Sequence, residues 1–410
     1  MADIILTTLG SAGDVFPFLH IGSRLKARGH HVTLLSHCHY RSLAEKAGLE
    51  FDALDSPKEY SRFLADEPLL NTPPGVAEFL RRHSLPKVLA EYNLIRERCR
   101  LNNTVLVSRD LFDTAARIAA EKLQIRLLHV FFAPSQVATW KIRVELFIHA
   151  FAADINQFRA RLYLLPVSDW YSWLSYSDCS IALWPDWFAA PNSTWPSGLL
   201  PVGFMADSEP EEAELSEEVQ SIISAGTPPV LITGGTGMYL GSEFYTAAAE
   251  ACRLLDRRAI LVTPFEEQVP KCLPDSVRRF RYLPFSKLMP QLEAIIHHGG
   301  RGTLSCAAAA GIPQVILAMG ADRPDNALRL QTLGVASYLP TPGWTPNLVA
   351  AALGRLIGSS AVKRRCRELA DRLRHCDAVA TACDVIERNV AFPVKGSARA
   401  EGPGRSGDGR

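Results

Sequence analysis

The 410-residue sequence has almost no excess of charge of either sign. It contains 44 basic and 43 acidic residues, for a formal net charge of +1. A general nucleic-acid binder needs a basic surplus to neutralise phosphates, so the charge balance excludes that class of partner. The sequence also lacks an uncharged apolar run of the ~20 residues that a membrane-spanning helix requires. We therefore predict no transmembrane segment, which leaves only peripheral contact with a membrane open.

The sequence also has no pattern of paired cysteines. Its nine cysteines include no Cys-x-x-Cys pair and are irregularly spaced. An odd number at irregular spacing is typical of free thiols in a reducing compartment. A strand pattern at residues 3–8 begins the chain directly, which predicts that no signal peptide precedes it. These features together predict a cytoplasmic protein.

Two nucleotide-binding motifs are missing as well. No glycine-rich loop carries the Lys of a P-loop, so an ATP or GTP site is not expected. None has the Gly-x-Gly-x-x-Gly spacing of a dinucleotide site. The segment His37-Cys38-His39 could suggest a metal site, but alternate residues at a strand end rarely converge without other ligands, and we interpret it as a loop.

Strand and helix patterns alternate in both halves of the chain. In the first half, strands are predicted at residues 4–9, 32–36, 105–108 and 127–132, with helices from Pro17 and over Thr114–Leu123. In the second half, strands are predicted at residues 230–233, 259–263, 279–282, 294–296 and 314–318. Such alternation predicts an α/β fold, with parallel sheets covered by helices on both faces.

The length is sufficient for two domains, each with its own core. We predict an N-terminal domain over residues 1–205, an acidic linker over residues 206–217 and a C-terminal domain over residues 218–390. Residues 391–410 are rich in Gly, Ser, Arg and Pro, a composition that predicts a disordered tail.

The most informative stretch begins at residue 295 and reads Ile-Ile-His-His-Gly-Gly-Arg-Gly-Thr. A buried strand pattern ends at His297, and a loop with Gly299, Gly300 and Gly302 follows. A helix is then predicted over Leu304–Ala310, ended by Gly311. A helix N-terminus at the end of a parallel strand exposes N–H groups and binds a diphosphate well.

Two side chains of this stretch add to that interpretation. His297 can donate to a phosphate oxygen, and Thr303 supplies a hydroxyl. The alternative is a plain glycine-rich turn with no ligand. Two adjacent histidines, together with the downstream segment from Asp322 to Asn326, make that alternative the weaker one.

These residues carry a resemblance to a known family. The segments His297-His298-Gly-Gly-x-Gly-Thr, Gly311-Ile-Pro-Gln and Asp322-x-Pro-x-Asn326 resemble the donor signature of family 1 glycosyltransferases. The resemblance implies the GT-B architecture, two Rossmann-like domains facing across a cleft, with the last helix packed back on the first domain. Within the family, the sequence is most similar to the rhamnosyltransferase chain of rhamnolipid synthesis, and more distantly to sterol and glycopeptide-antibiotic glycosyltransferases.

The resemblance also implies a role for the loop after the first strand. Ser11, Ala12 and Gly13 are expected to face the acceptor, and antibiotic-type members carry an Asp in this loop, as Asp14 does here. We expect Asp14 to act as the base that takes the proton of an acceptor hydroxyl. From the local sequence alone, Asp14 could equally cap a helix that starts near Pro17. His20 lies inside that helix and is the weaker candidate.

Further donor contacts are expected from three segments of the second half. Gly235 and Thr236 can offer an N–H group and a hydroxyl to phosphate. Leu283 lies in a segment whose backbone contacts the nucleotide base in the family. Asp322 and Asn326 are expected at the donor sugar.

Arg323 departs from the family pattern, which usually has a Gln at this position. Arginine offers five donors and no acceptor, and it keeps its charge. Arg323 therefore either faces the donor pocket and changes the choice of donor, or lies on the surface and pairs with an acid such as Asp325.

The resemblance places the acceptor pocket in the aromatic-rich region 135–173, which could also be an ordinary amphipathic helix pair. We predict an inverting transfer from a dTDP- or UDP-sugar to a hydroxyl of a lipid or other small hydrophobic natural product. No cofactor and no metal are expected, because the sequence has no Asp-x-Asp motif of the kind that a GT-A transferase needs. Two alternatives stay open, a nucleotide-sugar 2-epimerase and a non-catalytic partner that binds a sugar nucleotide.

Overall fold

The computed structural model describes residues 1–100, 103–109, 113–193, 195–196, 198–205, 214–238 and 240–390. Residues 206–213, most of the predicted linker, and the predicted tail 391–410 lie outside these ranges.

The first of two parallel sheets has seven strands in the order β3-β2-β1-β4-β5-β6-β7. The strands are β1 Asp3–Thr7, β2 His31–Ser36, β3 Glu50–Ala53, β4 Thr104–Arg109, β5 Arg126–Phe131, β6 Cys179–Ala182 and β7 Leu199–Pro201. β1 is central, with Ile5 opposite Thr33 on one side and Leu106 on the other. Its five residues are all buried, as expected for a parallel strand covered on both faces.

Nine helices accompany this sheet in the part of the chain that the structure describes. They are α1 Ala12–Ala27, α2 Arg41–Lys46, α3 Pro57–Asp66, α4 Pro73–His83, α5 Val88–Arg98, α6 Thr114–Leu123, α7 Pro134–Ala138, α8 Trp140–Arg161 and α9 Trp170–Ser175. Short 3₁₀ turns span Cys38–Tyr40, Glu67–Asn71 and Leu85–Lys87. The turn at Glu67–Asn71 reaches the second domain.

The second sheet has six parallel strands in the order β10-β9-β8-β11-β12-β13. Its strands are β8 Val230–Thr233, β9 Ala259–Val262, β10 Val277–Phe280, β11 Ala294–His297, β12 Gln314–Ala318 and β13 Ala336–Pro340. The helices of this half are α10 Glu217–Ser224, α11 Ser242–Leu254, α12 Phe285–Leu288, α13 Arg301–Ala310, α14 Arg323–Thr332, α15 Pro346–Gly358, α16 Ser360–Arg374 and α17 Ala378–Val390. The predicted α/β fold with two parallel sheets is confirmed.

The final helix, α17, packs on α1 of the first domain. Ala382, Cys383 and Ile386 are fully buried in the hydrophobic core that β1, β2 and α1 form. At the rim, Arg28 contacts Asp384 at 2.6 Å and Glu387 at 2.7 Å. Burial of the apolar face supplies most of the attachment, since exposed ion pairs contribute little.

Helix α1 begins earlier than the sequence predicts, and this is a correction. Its N-cap is Ser11 rather than a residue near Pro17, so Asp14 lies in its first turn and Pro17 inside the helix. The Asp14 carboxylate accepts the Ser11 N–H at 3.0 Å. The Ser-x-x-Asp spacing is the signature of a capping box, a signal that the sequence does contain.

Smaller shifts occur in the second half. Helix α13 starts at Arg301 instead of near Leu304, and β10 lies two residues before its predicted position. None of the nine cysteines, all within the described ranges, is in a disulfide. No helix among the described residues is long and apolar enough to cross a membrane.

Candidate functional site

A cavity of about 730 Å³ lies between the two sheets. Its walls come from the loops that follow β1, β4 and β5 in the first domain and β8 to β12 in the second. The carboxyl ends of parallel strands are where α/β folds bind ligands. We call this space the cleft cavity.

Most of the predicted site residues line the cleft cavity. They are Ser11, Ala12, Gly13, Asp14, Gly235, Thr236, Leu283, Gly300, Gly302, Thr303, Asp322 and Arg323. Three predicted residues do not line it, namely His297, Gly299 and Asn326. His298, for which the sequence predicts no role, lines the cleft cavity.

Asp14 lines the cleft cavity and also contributes to the capping box at the start of α1. Its role as a base stays a prediction. Its Oδ2 accepts the Ser11 N–H at 3.0 Å, and its Oδ1 lies 3.1 Å from a guanidinium nitrogen of Arg109. Arg109 ends β4 and also donates to the Leu9 carbonyl at 2.5 Å. Arg109 is not among the predicted site residues, because only the fold brings the ends of β1 and β4 together.

The orientation predicted for His297 is corrected by the structure, because its side chain turns into the second domain and away from the cleft. Its Nε2 lies 3.0 Å from the Gln314 Oε1, and its Nδ1 accepts the Gly299 N–H at 3.1 Å. Burial lowers the pKa of His297 to about 4. The ring is therefore neutral, with Nε2–H donating to Gln314. His297 shapes the loop and does not offer a hydrogen to a ligand in the cavity.

His298 takes the place in the cavity that was predicted for His297. Its ring lies between two glycines: a Cβ on Gly235 would come within 2.5 Å of it, and one on Gly300 within 2.2 Å. Only 7% of His298 is exposed. Burial, together with the nearby charge of Arg323, lowers its pKa well below the usual value. Its buried Nδ1 has no hydrogen-bond partner among the described residues, so it is available to a water or a ligand.

The first turn of α13 forms the floor of the same region. Gly300 is its N-cap, and Gly302 and Thr303 follow in the first turn, where backbone N–H groups have no partner within the helix. Gly299 has a φ of +89°, and a Cβ there would lie 3.1 Å from the Arg323 carbonyl oxygen. Glycine is therefore required for the chain to turn into the helix. This is an anion-binding geometry.

Asn326 supports this loop from behind. Its side-chain amide donates to the Gly299 carbonyl at 3.2 Å and to the Asp322 carboxylate at 2.8 Å. Asp322 itself lines the cleft cavity. Asn326 thus holds two other predicted site residues and has no contact of its own with the cavity.

Arg323 lines the cleft cavity and is buried, so it does not lie on the surface, which is the alternative that the sequence left open. Only 4% of Arg323 is exposed, and its Nη2 donates to the Asn71 side-chain oxygen at 2.8 Å across the domains. Its Nε donates to the Gly320 carbonyl at 3.3 Å. Asp325 pairs instead with Arg329 at 2.9 Å.

The first-domain side of the cleft cavity is mainly apolar. Helices α4 and α8, with the chain just before α4, contribute Leu70, Val76, Ala77, Phe79, Leu80, Leu146, Phe147 and Phe151. Part of the aromatic-rich region 135–173 therefore lines the cavity. An apolar wall of this kind suits a hydrophobic ligand.

Two acids, the buried Glu91 and the half-buried Asp113, lie in this wall and are not among the predicted site residues. Glu91 on α5 accepts a hydrogen bond from the Thr7 hydroxyl, and burial raises its pKa to about 7. Asp113 caps α6 by accepting the Ala116 N–H at 3.0 Å. Burial, and then the neighbouring Glu91, raise the pKa of Asp113 well above its usual value. Asp113 stands just before a predicted helix, so its capping role had a sequence signal, whereas Glu91 had none.

Among the described residues, no group of three or more His, Cys, Asp or Glu side chains could hold a metal ion. The metal independence of the reaction stays a prediction.

Two family models match this chain. The model described as the glycosyltransferase family 28 N-terminal domain matches residues 4–149. The model described as the erythromycin biosynthesis protein CIII-like, C-terminal domain, matches residues 249–387. The first match includes β1 to β5 and the second includes β9 to β13.

Full-length relatives support the same assignment. O-mycaminosyltylonolide 6-deoxyallosyltransferase of Streptomyces fradiae is 30% identical, over 94% of this chain and 96% of that one. Vancomycin aglycone glucosyltransferase of Amycolatopsis orientalis is 28% identical, over 85% of this chain and 89% of that one. The solved structure of glycosyltransferase VinC in complex with dTDP matches with a TM-score of 0.72 at 18% identity, over 95% of this chain and 99% of that one. The resemblance to the rhamnolipid enzymes in particular stays a prediction.

Proposed function

Because this chain belongs to the family 1 GT-B glycosyltransferases, we propose that it transfers a sugar, with inversion and without a metal, from a dTDP- or UDP-sugar. The proposed acceptor is a hydroxyl of a lipid or other small hydrophobic natural product. The observation that carries the proposal is that one cavity holds both a carboxylate, Asp14, and the anion-binding first turn of α13.

On the donor side, the diphosphate is proposed to lie at the N-terminus of α13. The N–H groups of its first turn, the Thr303 hydroxyl and the Nδ1 of His298 are the donors available there. Leu283 is placed to meet the nucleotide base, and Asp322 the sugar. The dTDP in the VinC structure supports a nucleoside diphosphate of this kind.

On the acceptor side, the Asp14 carboxylate takes the proton of the acceptor hydroxyl. The hydroxyl oxygen attacks the anomeric carbon from the face opposite the diphosphate, and the bond from that carbon to the diphosphate oxygen breaks. Attack from the opposite face inverts the configuration. The donors at α13 stabilise the negative charge that develops on the leaving diphosphate.

The apolar wall supports a hydrophobic acceptor. A volume of about 730 Å³ is within the range of small-molecule sites, roughly 300–1,000 Å³. The printed names of the relatives, an aglycone glucosyltransferase and a tylonolide transferase, support a natural-product acceptor. A 2-epimerase has no acceptor, and a non-catalytic partner needs no base, so neither alternative accounts for this wall together with Asp14.

The substitution Asp14→Asn tests the proposal. Asparagine keeps an oxygen for the Ser11 N–H but cannot take a proton, so turnover should fall roughly 10²–10⁴-fold, while dTDP affinity changes little. Turnover is measured with a panel of dTDP- and UDP-sugars and hydrophobic alcohols, and affinity by calorimetry. Asp325→Asn, which changes a carboxylate paired with Arg329 outside the cavity, is the matched control. Asp14→Asn activity within a few-fold of wild type would refute the assigned base.

A further inference from the structure

We propose that Arg301 positions the loop that carries Asp14 and transmits occupancy of the diphosphate site to that loop. Arg301 is a positioning residue in this proposal, since it acts through Gly13 and Asp14. The proposal rests on the proposed function, in which a diphosphate binds at α13 and Asp14 is the base.

The starting point is a hydrogen bond that α1 cannot make for itself. In an α-helix the carbonyl of residue 13 accepts from the N–H of residue 17, and residue 17 here is a proline, which has no N–H. Gly13 is half-buried, and its carbonyl has no donor within α1 because residue 17 is a proline. The Gly13 carbonyl can therefore accept a donor from outside the helix.

Arg301 supplies that donor from the other domain. Its Nη2 donates to the Gly13 carbonyl at 2.6 Å, and its Nη1 to the Met205 carbonyl at 3.4 Å. The guanidinium carbon lies 5.4 Å from the centroid of the Phe132 ring, and only 6% of Arg301 is exposed. The contact is thus partly buried, and it directs a cationic side chain at the residue immediately before Asp14.

Arg109 holds the other end of the same loop. It donates to the Leu9 carbonyl, pairs with Asp14 at 3.1 Å and lies 5.0 Å from the centroid of the same Phe132 ring. Two guanidinium groups, both against Phe132, therefore fix the loop at residue 9 and at residue 13. Arg109 belongs to the first domain, whereas Arg301 is the first residue of the helix that is proposed to bind the diphosphate.

The position of Arg301 in α13 is itself unfavourable without an anion. A cation in the first turn of a helix opposes the helix dipole, and a bound diphosphate would compensate it. In the donor signature this position is the variable one between Gly300 and Gly302, so donor binding alone does not require an arginine. Both points favour a role for Arg301 in joining the diphosphate site to the loop that carries Asp14.

Hydrogen–deuterium exchange on the full chain with dTDP as the probe tests this coupling. In wild type, dTDP should slow exchange both at residues 299–304 and at residues 10–16. In Arg301→Gln it should slow exchange at residues 299–304 only, with turnover reduced roughly 10–100-fold through misplacement of the base. Arg301→Lys, which keeps the charge, should recover part of both effects. Arg28→Gln, which removes an arginine that joins α1 to α17 away from the cavity, should behave as wild type.

A second variant keeps the test decisive if Arg301→Gln does not fold. Pro17→Ala restores the N–H of residue 17, which then competes with Arg301 for the Gly13 carbonyl, so the response of residues 10–16 to dTDP should weaken. The coupling would be overturned if dTDP protected residues 10–16 equally in wild type, Arg301→Gln and Pro17→Ala. Unchanged turnover in Arg301→Gln would also overturn it. If neither dTDP nor UDP slows exchange anywhere in wild type, the proposed function fails instead.

Discussion

The adjacent residues His297 and His298 have different surroundings, so substituting them should affect two different properties, stability and nucleotide affinity. His298→Ala removes a donor that faces the cavity, so dTDP should bind more weakly by about 1.5–3 kcal/mol, the usual contribution of a hydrogen bond to a charged group. His297→Ala leaves Gln314 and the Gly299 N–H without a partner and should lower the free energy of unfolding by about 1–3 kcal/mol for each group. Calorimetry with dTDP and urea unfolding measure the two effects. A larger loss of dTDP affinity in the His297 variant than in the His298 variant would reverse this assignment.

The buried state of His297 also predicts a pH dependence. Its pKa is about 4 in the folded protein against 6.5 ordinarily, so between these values the unfolded chain binds the proton more readily. The stability that His297 contributes is therefore present above pH 6.5 and is lost as the pH falls towards 4. The loss should reach about 2 kcal/mol at pH 5.

Urea unfolding at pH 7.5 and pH 5 checks this value in wild type and in His297→Gln. Burial also lowers the pKa of His129 and His298, so both proteins should be less stable at the lower pH. The difference between the two pH profiles isolates His297. Parallel profiles would mean that the ring is protonated, or accessible to water, in the folded state.

The sequence could locate the donor loop but not the direction in which its side chains point. Both histidines satisfy the motif equally well, and only its position at a strand end favours His297 as the phosphate donor. Its ring turns away because Gln314 lies 17 residues further along the chain, where β12 places an amide oxygen 3.0 Å away. A partner of that kind is visible only once the strands are paired.

At the level of elements, most strands and helices could be predicted because their patterns are local. Helix α6 was predicted at its observed bounds, Thr114–Leu123, and β12 likewise. For α1, Pro17 is typical of a first turn and therefore predicts too late a start, whereas the capping box of Ser11 and Asp14 starts the helix. The place of α17 on α1 could not follow from its own periodicity, which shows an apolar face but not what covers it.

The attachment of α17 gives a prediction about this helix. Ile386 is fully buried against the core of the first domain, so Ile386→Ala should lower the free energy of unfolding by roughly 2–5 kcal/mol. Exchange at β1 should rise with it, because β1 shares that core. Arg388→Ala, on the exposed side of α17, is the control and should stay within about 0.5 kcal/mol of wild type. An equally small effect of Ile386→Ala would show that α17 detaches readily in solution.

Across the whole molecule, contacts between the domains converge on the cleft cavity. Arg301 reaches Gly13, and the 3₁₀ turn Glu67–Asn71 contacts two loops of the second domain. Glu67 accepts the Met238 N–H at 2.7 Å, and the Asn71 side-chain oxygen accepts from Arg323 at 2.8 Å. The turn thus spans the loops after β8 and β12, so the first domain contributes to the donor side of the cavity.

The contact between Asn71 and Arg323 leads to a prediction about donor choice. Arg323 stands where the family usually has Gln, and it lines the cavity beside Asp322. Arg323→Gln should therefore change the ranking of dTDP- and UDP-sugars in a competition assay by more than it changes the total rate. Asn71→Ala should shift the ranking in the same direction, because it releases the guanidinium that Asn71 orients. Affinity for dTDP alone, which has no sugar, should change little in either variant.

A double-mutant cycle between these two residues decides how the effect arises. If Asn71 acts by orienting Arg323, the two substitutions should be non-additive in their effect on sugar-nucleotide affinity, with a coupling energy of about 0.5–3 kcal/mol. Non-additive losses with the wild-type donor ranking would mean that the bond only holds the domains together, and additive losses would mean that Asn71 does not orient Arg323. The cycle thus separates a residue that recognises the sugar from one that closes the cleft, since only the first depends on which sugar the nucleotide carries.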